Sequence, residues 1–386
     1  MSRPKIALIR QYYNPFAGGG RNLENLALKL LEKGFEVHIF TRGWINEINS
    51  AFNLHKIGIP QFPKTLRPYY FCRKVEDILK KEKFDIIFSL EKILVQDIYR
   101  AGNGIQKEWF KIWNSITLNL LKKASIWLRA KHYMSLYLEK RFFKKAKYKK
   151  IIANSNLLKQ EISKNYNIPE EKIEVIYNEV DLKKFNPENK RFHSEIRKQF
   201  NIKKDEFLIL FVGSGFVRKG LRYLIQACSF LDLNKDFKLL IVGRGNIKPY
   251  VDIVKRLNLQ DKVIFAGHLR YIEKIYGASD LFVLPTLYDP FSNVCLETMA
   301  SGIPVITSNK NGASEVVSQV DKRFILENPT DSFEIAKKIE MFFNHQFRER
   351  VGKLNRFVAE QYSIEVMCEK VLNIYERIKS IKNDKN

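Results

Sequence analysis

Short apolar runs alternate with longer amphipathic stretches along most of the chain. Lys5–Arg10 (KIALIR), Phe35–Phe40 (FEVHIF), Leu54–Ile59, Asp85–Leu90 (DIIFSL) and Ile151–Ser155 have the length and composition of buried strands. Between them, Arg21–Glu32, Leu66–Lys80 and Asn156–Tyr166 repeat their apolar positions at helical spacing. A second alternation begins at Phe207–Ser214 and continues through Phe237–Arg244, Lys262–His268, Leu281–Leu284 and Val305–Thr307. Lys219–Leu231, Ile247–Leu257, Ile272–Ser279 and a helix from about Ser292 to Ala300 separate those runs. Helices then take over, at Ser332–Asn344, Gln346–Tyr362 and Ile364–Ile381. Strand and helix in regular alternation predict an α/β fold of two doubly wound domains facing one another across a cleft.

The densest signal is Leu281–Ser308 (LFVLPTLYDPFSNVCLETMASGIPVITS), a strand, an acidic loop, a helix and a second strand. Such units bind ligands outside the carboxyl ends of their strands. Asp289 falls in the loop and Glu297 in the helix, with the helix N-terminus between them. That N-terminus offers unpaired N–H groups to an anion. Two acceptors for hydroxyl groups beside a phosphate site suit a sugar nucleotide. The plainer reading of the pair is a turn residue and a solvated helix face.

Gly213–Gly220 (GSGFVRKG) follows the strand that opens the second alternation. Arg218 stands where G-x-G-x-x-G needs its third glycine, and Leu221 where a P-loop needs lysine. What remains is a glycine turn, the cations Arg218 and Lys219, and a helix start. Two such cations can neutralise a diphosphate whose charge grows as its glycosidic bond breaks.

Asp289–Val305 resembles the E-P-F-G-N-V-x-L-E-A-M-A-x-G-x-P-V stretch of family 4 retaining glycosyltransferases. Asp289 replaces its first Glu, Ser292 its Gly and Thr298 its Ala. GSGFVRKG is similar to the family's diphosphate loop, FKLLIVGRG and VIFAGHLR to two of its strands, and KIEVIYNEVD to the segment that ends its first domain. The resemblance implies the GT-B fold, two Rossmann-like domains, with 1–183 binding acceptor and 184–363 binding nucleotide sugar. A helix over about 364–386 would cross back to the first domain.

The same resemblance implies the site. Arg218 and Lys219 hold the diphosphate with Gly213, Gly215 and the backbone near Asn293 and Val294. Glu297 binds ribose and Asp289 the sugar hydroxyls, with Phe291 and Ser292 beside them. His268 and Leu269 read the base. Gly18, Gly19 and Gly20 line the cleft near the acceptor and the transferred sugar of the donor, and Asn103 stands where relatives often carry Asp, close to the reacting carbon. The YRAGNG segment together with GSGFVRKG looks most like lipopolysaccharide-core α-glucosyltransferases. That implies glucose moved from UDP-glucose to a lipid-linked saccharide with retention. No D-x-D triplet occurs, so no metal and no cofactor are expected at the diphosphate.

The 386 residues suffice for two domains, and 45% hydrophobic content suffices for their cores. Four scattered cysteines, Cys72, Cys228, Cys295 and Cys368, predict free thiols in a cytoplasmic protein. A net charge of +25 asks for an anionic partner. Much of it lies in Glu108–Lys150, where aromatic residues interleave with lysines and arginines opposed only by Glu108 and Glu139. That is the composition of a helix lying on an anionic membrane, which would place the protein peripherally on the inner face of the cytoplasmic membrane. It is equally the composition of an aromatic core stripe with a solvated basic face. Without a nucleic-acid-binding motif, no nucleic acid is expected. The rival readings are a nucleic-acid-binding protein and a membrane scaffold on an inactive transferase fold.

Overall fold

The computed structural model describes residues 3–13, 18–44, 50–116, 126–232 and 234–383. They form two compact units, Met1–Asn178 with Ile364–Asn386, and Glu179–Ser363.

In the first unit the chain runs β1 (Lys5–Ile9), β2 (Tyr12–Tyr13), α1 (Gly18–Glu32), β3 (Glu36–Thr41), β4 (Gly43–Trp44), β5 (Asn53–Lys56) and α2 (Arg67–Leu79). It continues through β6 (Ile86–Ser89), β7 (Ile98–Ala101), α3 (Gln106–Ile116), α4 (Ile126–Lys145), β8 (Lys150–Ala153), α5 (Asn156–Tyr166) and β9 (Ile173–Val175). Seven of these strands make a parallel sheet in the order β5-β3-β1-β6-β7-β8-β9. Helices cover both faces, which is why the strands read as unbroken apolar runs. On one face Ile6, Leu8, Val37, Ile39 and Phe88 meet Leu23, Leu26 and Leu30 of α1. Met367, Val371, Ile374 and Ile378 of the far helix, Ile364–Asn383, complete that core. On the other face Ala7, Ile9 and Phe40 meet Phe71, Val75 and Leu79 of α2.

Two expectations change here. The helix predicted from Arg21 begins at Gly18, so Gly18, Gly19 and Gly20 form its first turn and not a loop. Helix N-termini tolerate glycine because their first N–H groups have no intrahelical partner in any case. The basic stretch Glu108–Lys150 is divided between α3 and α4 and ends in β8, with 117–125 outside the described residues. Its aromatic residues divide between the core and the surface. Phe142 and Phe143 are buried against Tyr99, whereas Tyr133 and Tyr137 are exposed. Its two acids are both paired, Glu139 in the interior and Glu108 nearer the surface. Glu139 is fully buried and accepts from Lys92 Nζ at 2.6 Å, Tyr166 OH at 2.6 Å and the backbone N–H groups of Gln106 and Lys107 at 2.9 and 3.3 Å. It thus caps α3 from α4. Glu108 accepts from Lys111 and Asn165.

The second unit runs α6 (His193–Gln199), β10 (Phe207–Val212), α7 (Leu221–Cys228), β11 (Phe237–Val242), α8 (Lys248–Arg256), β12 (Val263–Gly267) and α9 (Ile272–Ala278). After these come β13 (Leu281–Leu284), α10 (Asn293–Ala300), β14 (Val305–Ser308), α11 (Ser314–Val317), β15 (Ile325–Leu326), α12 (Ser332–Glu340) and α13 (His345–Ala359). Its parallel sheet has the order β12-β11-β10-β13-β14-β15. Counted within the unit, that is the 3-2-1-4-5-6 order of a dinucleotide-binding fold. Chain direction across the sheet reverses between β10 and β13. In open sheets of this order, ligands bind at the carboxyl ends of that strand pair. Among the described residues no helix is long and apolar enough to cross a membrane.

Candidate active site

The two loops at that reversal are Gly213–Gly220 and Pro285–Ser292, the stretches that carry the predicted cations and the predicted acid. Their backbones are joined directly. The Arg218 carbonyl accepts from Leu287 N at 2.8 Å and from Thr286 Oγ1 at 3.0 Å. Gly220 has φ +74°, and a Cβ there would lie 1.8 Å from the Pro285 carbonyl oxygen. Only glycine allows both that backbone conformation and that approach.

The side chains then converge. Lys219 Nζ donates to Asp289 Oδ2 at 2.6 Å and to Ser292 Oγ at 2.8 Å. Arg218 Nη1 reaches the same Oδ2 at 2.8 Å and the Tyr288 carbonyl at 2.9 Å. The remaining oxygen, Oδ1, accepts from Phe291 N at 3.1 Å. Lys219 and Asp289 are buried, while the Arg218 side chain keeps 31% exposure. Burial alone pushes the Asp289 carboxyl up, but the Lys219 and Arg218 charges outweigh it and hold it below the ordinary aspartate value. The cations expected at a diphosphate and the acid expected at the sugar hydroxyls are thus bound to one another.

Asn311, which carries no sequence signal of its own, fixes this loop. It is fully buried, and its Oδ1 accepts from Ser292 N and Ala313 N, each at 3.1 Å. Its Nδ2 donates to Thr307 Oγ1 at 2.9 Å. Backbone pairing between Asp289 and the Lys310–Gly312 turn completes the brace. Ser292 is the N-cap of α10, and its hydroxyl accepts from Lys219 and not from a backbone N–H of the helix. Asn293 and Val294 open the helix half-buried.

Glu297 lies on the second turn of α10, half-buried, and its Oε2 accepts from Tyr276 OH at 3.0 Å. Burial, then the Glu297 charge, raise the Tyr276 phenol well above its usual range, so it stays a donor. The neighbouring Cys295 thiol is pushed up to about 12 by burial and remains protonated. Phe291 is buried in the loop. Gly213 and Gly215 line the cation turn, where a Cβ on Gly213 would press on the Lys219 side chain at 3.2 Å. His268 is exposed just past β12, with Leu269 half-buried beside it. Partial burial, then Arg244 and Arg270, lower the His268 pKa, which keeps its ring neutral at pH 7.

All of these belong to the second unit. Asn103 and Gly18–Gly20 belong to the first, Asn103 in an exposed bend after β7.

A doubled parallel α/β fold with a cation-bearing glycine turn and an acidic loop at the second sheet's reversal is the framework of a GT-B glycosyltransferase. The description Glycosyltransferase Family 4 matches residues 16–184, and Glycosyl transferases group 1 matches residues 192–362. The chain belongs to the glycosyltransferases that combine these two domains. It is 28% identical over 396 aligned residues to an uncharacterised glycosyltransferase of Methanocaldococcus jannaschii, covering 96% of this chain and 98% of the other. It is 22% identical to the lipopolysaccharide glucosyltransferase WaaG of Escherichia coli over 84% of this chain and 85% of that protein. A crystal structure of WaaG superposes with a TM-score of 0.79 at 20% identity, covering 96% and 99% of the two chains. The Anabaena protein HepE in complex with UDP-glucose gives 0.71 at 19% identity, covering 97% and 99%.

Proposed function

We propose that this glycosyltransferase moves glucose from UDP-glucose to a lipid-linked saccharide, such as a lipopolysaccharide core, with retention at the anomeric carbon. The observation that carries the reading is the Arg218–Lys219–Asp289 cluster beside the N-terminus of α10. An arriving diphosphate, more highly charged than one carboxylate, competes with Asp289 for both cations. The helix N-terminus adds a further positive end to the same anion. Asp289, released in part, turns an oxygen to the sugar hydroxyls, and Glu297, oriented by Tyr276, takes the ribose. The bond from C1 to the diphosphate oxygen breaks, the acceptor oxygen bonds C1 from the same face, and its proton passes to the departing phosphate. Arg218 and Lys219 then meet the charge left on UDP, which is where their stabilisation is largest. Asn103 contributes at most a hydrogen bond, since an amide is no base. The glucosyltransferase name of WaaG and the UDP-glucose complex of HepE support this choice of donor.

A panel of UDP-, GDP- and ADP-sugars, scored for hydrolysis and transfer, tests the reading. UDP-glucose is expected to turn over fastest, its affinity is expected to survive EDTA, and the product is expected to be the α-anomer by NMR. A GDP or ADP preference, a β product, or donor binding that needs Mg²⁺ or Mn²⁺ would overturn it.

The lipid-linked acceptor agrees with a peripheral membrane position. With Glu108 and Glu139 both paired, α4 presents exposed Lys140, Lys144 and Lys145 with Tyr133 and Tyr137, and Lys147 follows at its end. Each such cation near an anionic leaflet contributes about 1 kcal/mol to adsorption. Lys149 is set apart, because it pairs with Asp97 at 3.4 Å. Replacing Lys140, Lys144, Lys145 and Lys147 with Gln is expected to release the protein from anionic liposomes and leave UDP-glucose hydrolysis intact. High salt should imitate the substitution. A wild-type protein that ignores such liposomes at low salt would refute the membrane role.

A further inference from the structure

Away from the donor loops, the first unit gathers three metal-binding side chains on one edge of its sheet. His38 lies on β3 and His55 on the edge strand β5, paired in a register that sets His55 opposite Phe40. The two imidazoles therefore sit diagonally on one face, with His38 Nδ1 2.9 Å from His55 Nε2. Glu82, in the bend after α2, completes the group. One donor atom from each of the three lies within 4.8 Å of the others, a combination found once among the described residues.

We propose that His38, His55 and Glu82 bind a zinc ion that fastens the sheet edge. Two imidazoles and a carboxylate, with a fourth position open to water, are a donor set that zinc accepts. Glu36 prepares the set. Its Oε1 takes a hydrogen bond from His38 Nε2 at 2.8 Å. The proton of a neutral His38 is thereby held on Nε2, and the Nδ1 lone pair points at His55. A carboxylate behind a ligating histidine orients the ring and raises its basicity. Phe40 stacks on His55 at 4.3 Å, and Phe84 meets His38 edge-on at 5.1 Å, so the rings are held from behind. Zinc–nitrogen bonds of about 2.0–2.1 Å in a tetrahedron need the two nitrogens about 3.3 Å apart. An opening of about 0.4 Å from the present contact supplies that, and Glu82, being exposed, is free to swing in. The ion would tie β5 and the bend after α2 to β3.

The test is titration of the EDTA-treated, tag-free full chain with Zn²⁺ by calorimetry, followed by Co²⁺ substitution. One zinc per chain is expected, and bound cobalt should show the visible bands of a four-coordinate site. His55→Ala, at a half-exposed edge position, should weaken binding at least 100-fold and abolish those bands. Glu36→Gln, which keeps every ligand, should weaken binding about 10- to 100-fold. Glu82→Gln, at an exposed residue outside the core, should weaken it as well. Absence of stoichiometric binding overturns the proposal. Wild-type affinity in both His55→Ala and Glu82→Gln would place the metal elsewhere and overturn it equally.

Discussion

Lys219→Ala should lower kcat roughly a hundredfold or more and also destabilise the fold, whereas Arg218→Ala should match the loss in rate with little loss in stability. The split follows from burial. Lys219 and Asp289 are both buried and 2.6 Å apart, so removing the lysine leaves a buried carboxylate with one partly exposed partner. Breaking a buried pair from one side costs about 3–5 kcal/mol, and the surviving Arg218 contact moves the expectation to the low end of that range. Steady-state kinetics with UDP-glucose and denaturant titration, run on both variants, separate the two effects. Near-normal kcat in both would remove the cations from the reaction. The same pair predicts the acid limb of stability. Because the folded Asp289 carboxyl lies below its unfolded value, its contribution is present above the unfolded pKa and is lost as pH falls through the folded one. Either alanine variant relaxes the depression, so the stability gap between variant and parent should narrow as pH falls through the Asp289 titration.

Glu139→Ala should destabilise the first unit by about 3 kcal/mol or more. One buried carboxylate there serves a lysine, a tyrosine hydroxyl and two backbone N–H groups at the start of α3. Alanine removes the one acceptor these four donors share and leaves a gap at a fully buried position, where lost hydrogen bonds are not fully replaced by water. Glu139→Gln keeps the shape but brings its own NH2 donors against that shell, so it should recover only part of the loss. Urea titration followed by far-UV circular dichroism measures both. Wild-type midpoints would mean that α3 does not depend on this cap.

The parallel sheets were legible because strands covered on both faces must be apolar throughout. Phe207–Val212 and Leu281–Leu284 could be marked as strands with no knowledge of their neighbours. The two loops at the second sheet's reversal were legible for a different reason. Glycine next to cations, and an acid ahead of a helix start, are rare company for residues that serve only a turn. Pairing was the part hidden in the sequence. Nothing in the spacing of Lys219 and Asp289 tells that they share one oxygen atom, since their separation in space depends on which strands neighbour β10. Asn311 was hidden likewise, because a buried amide and a surface amide are written with the same letter. A run of glycines has the same composition in a loop and in a helix's first turn, which hides the helix start at Gly18. The inward commitment of Glu139 could not be read either, for it depends on α4 crossing the first turn of α3.

The far helix, Ile364–Asn383, contributes Met367, Val371, Ile374 and Ile378 to a core whose members outside that helix all come from the stretch Ile6 to Ile176. During synthesis this has an order built into it. The second unit has every strand and helix it needs once Ser363 has left the ribosome, while the first unit still lacks one wall of its core. Leu23, Leu26 and Leu30 must wait beside an open apolar surface until more than 330 further residues have emerged. A nascent chain of this kind matures its second half before its first. A stop codon just past Ser363 would spare the unit that holds the cation cluster and leave the other without its closing helix.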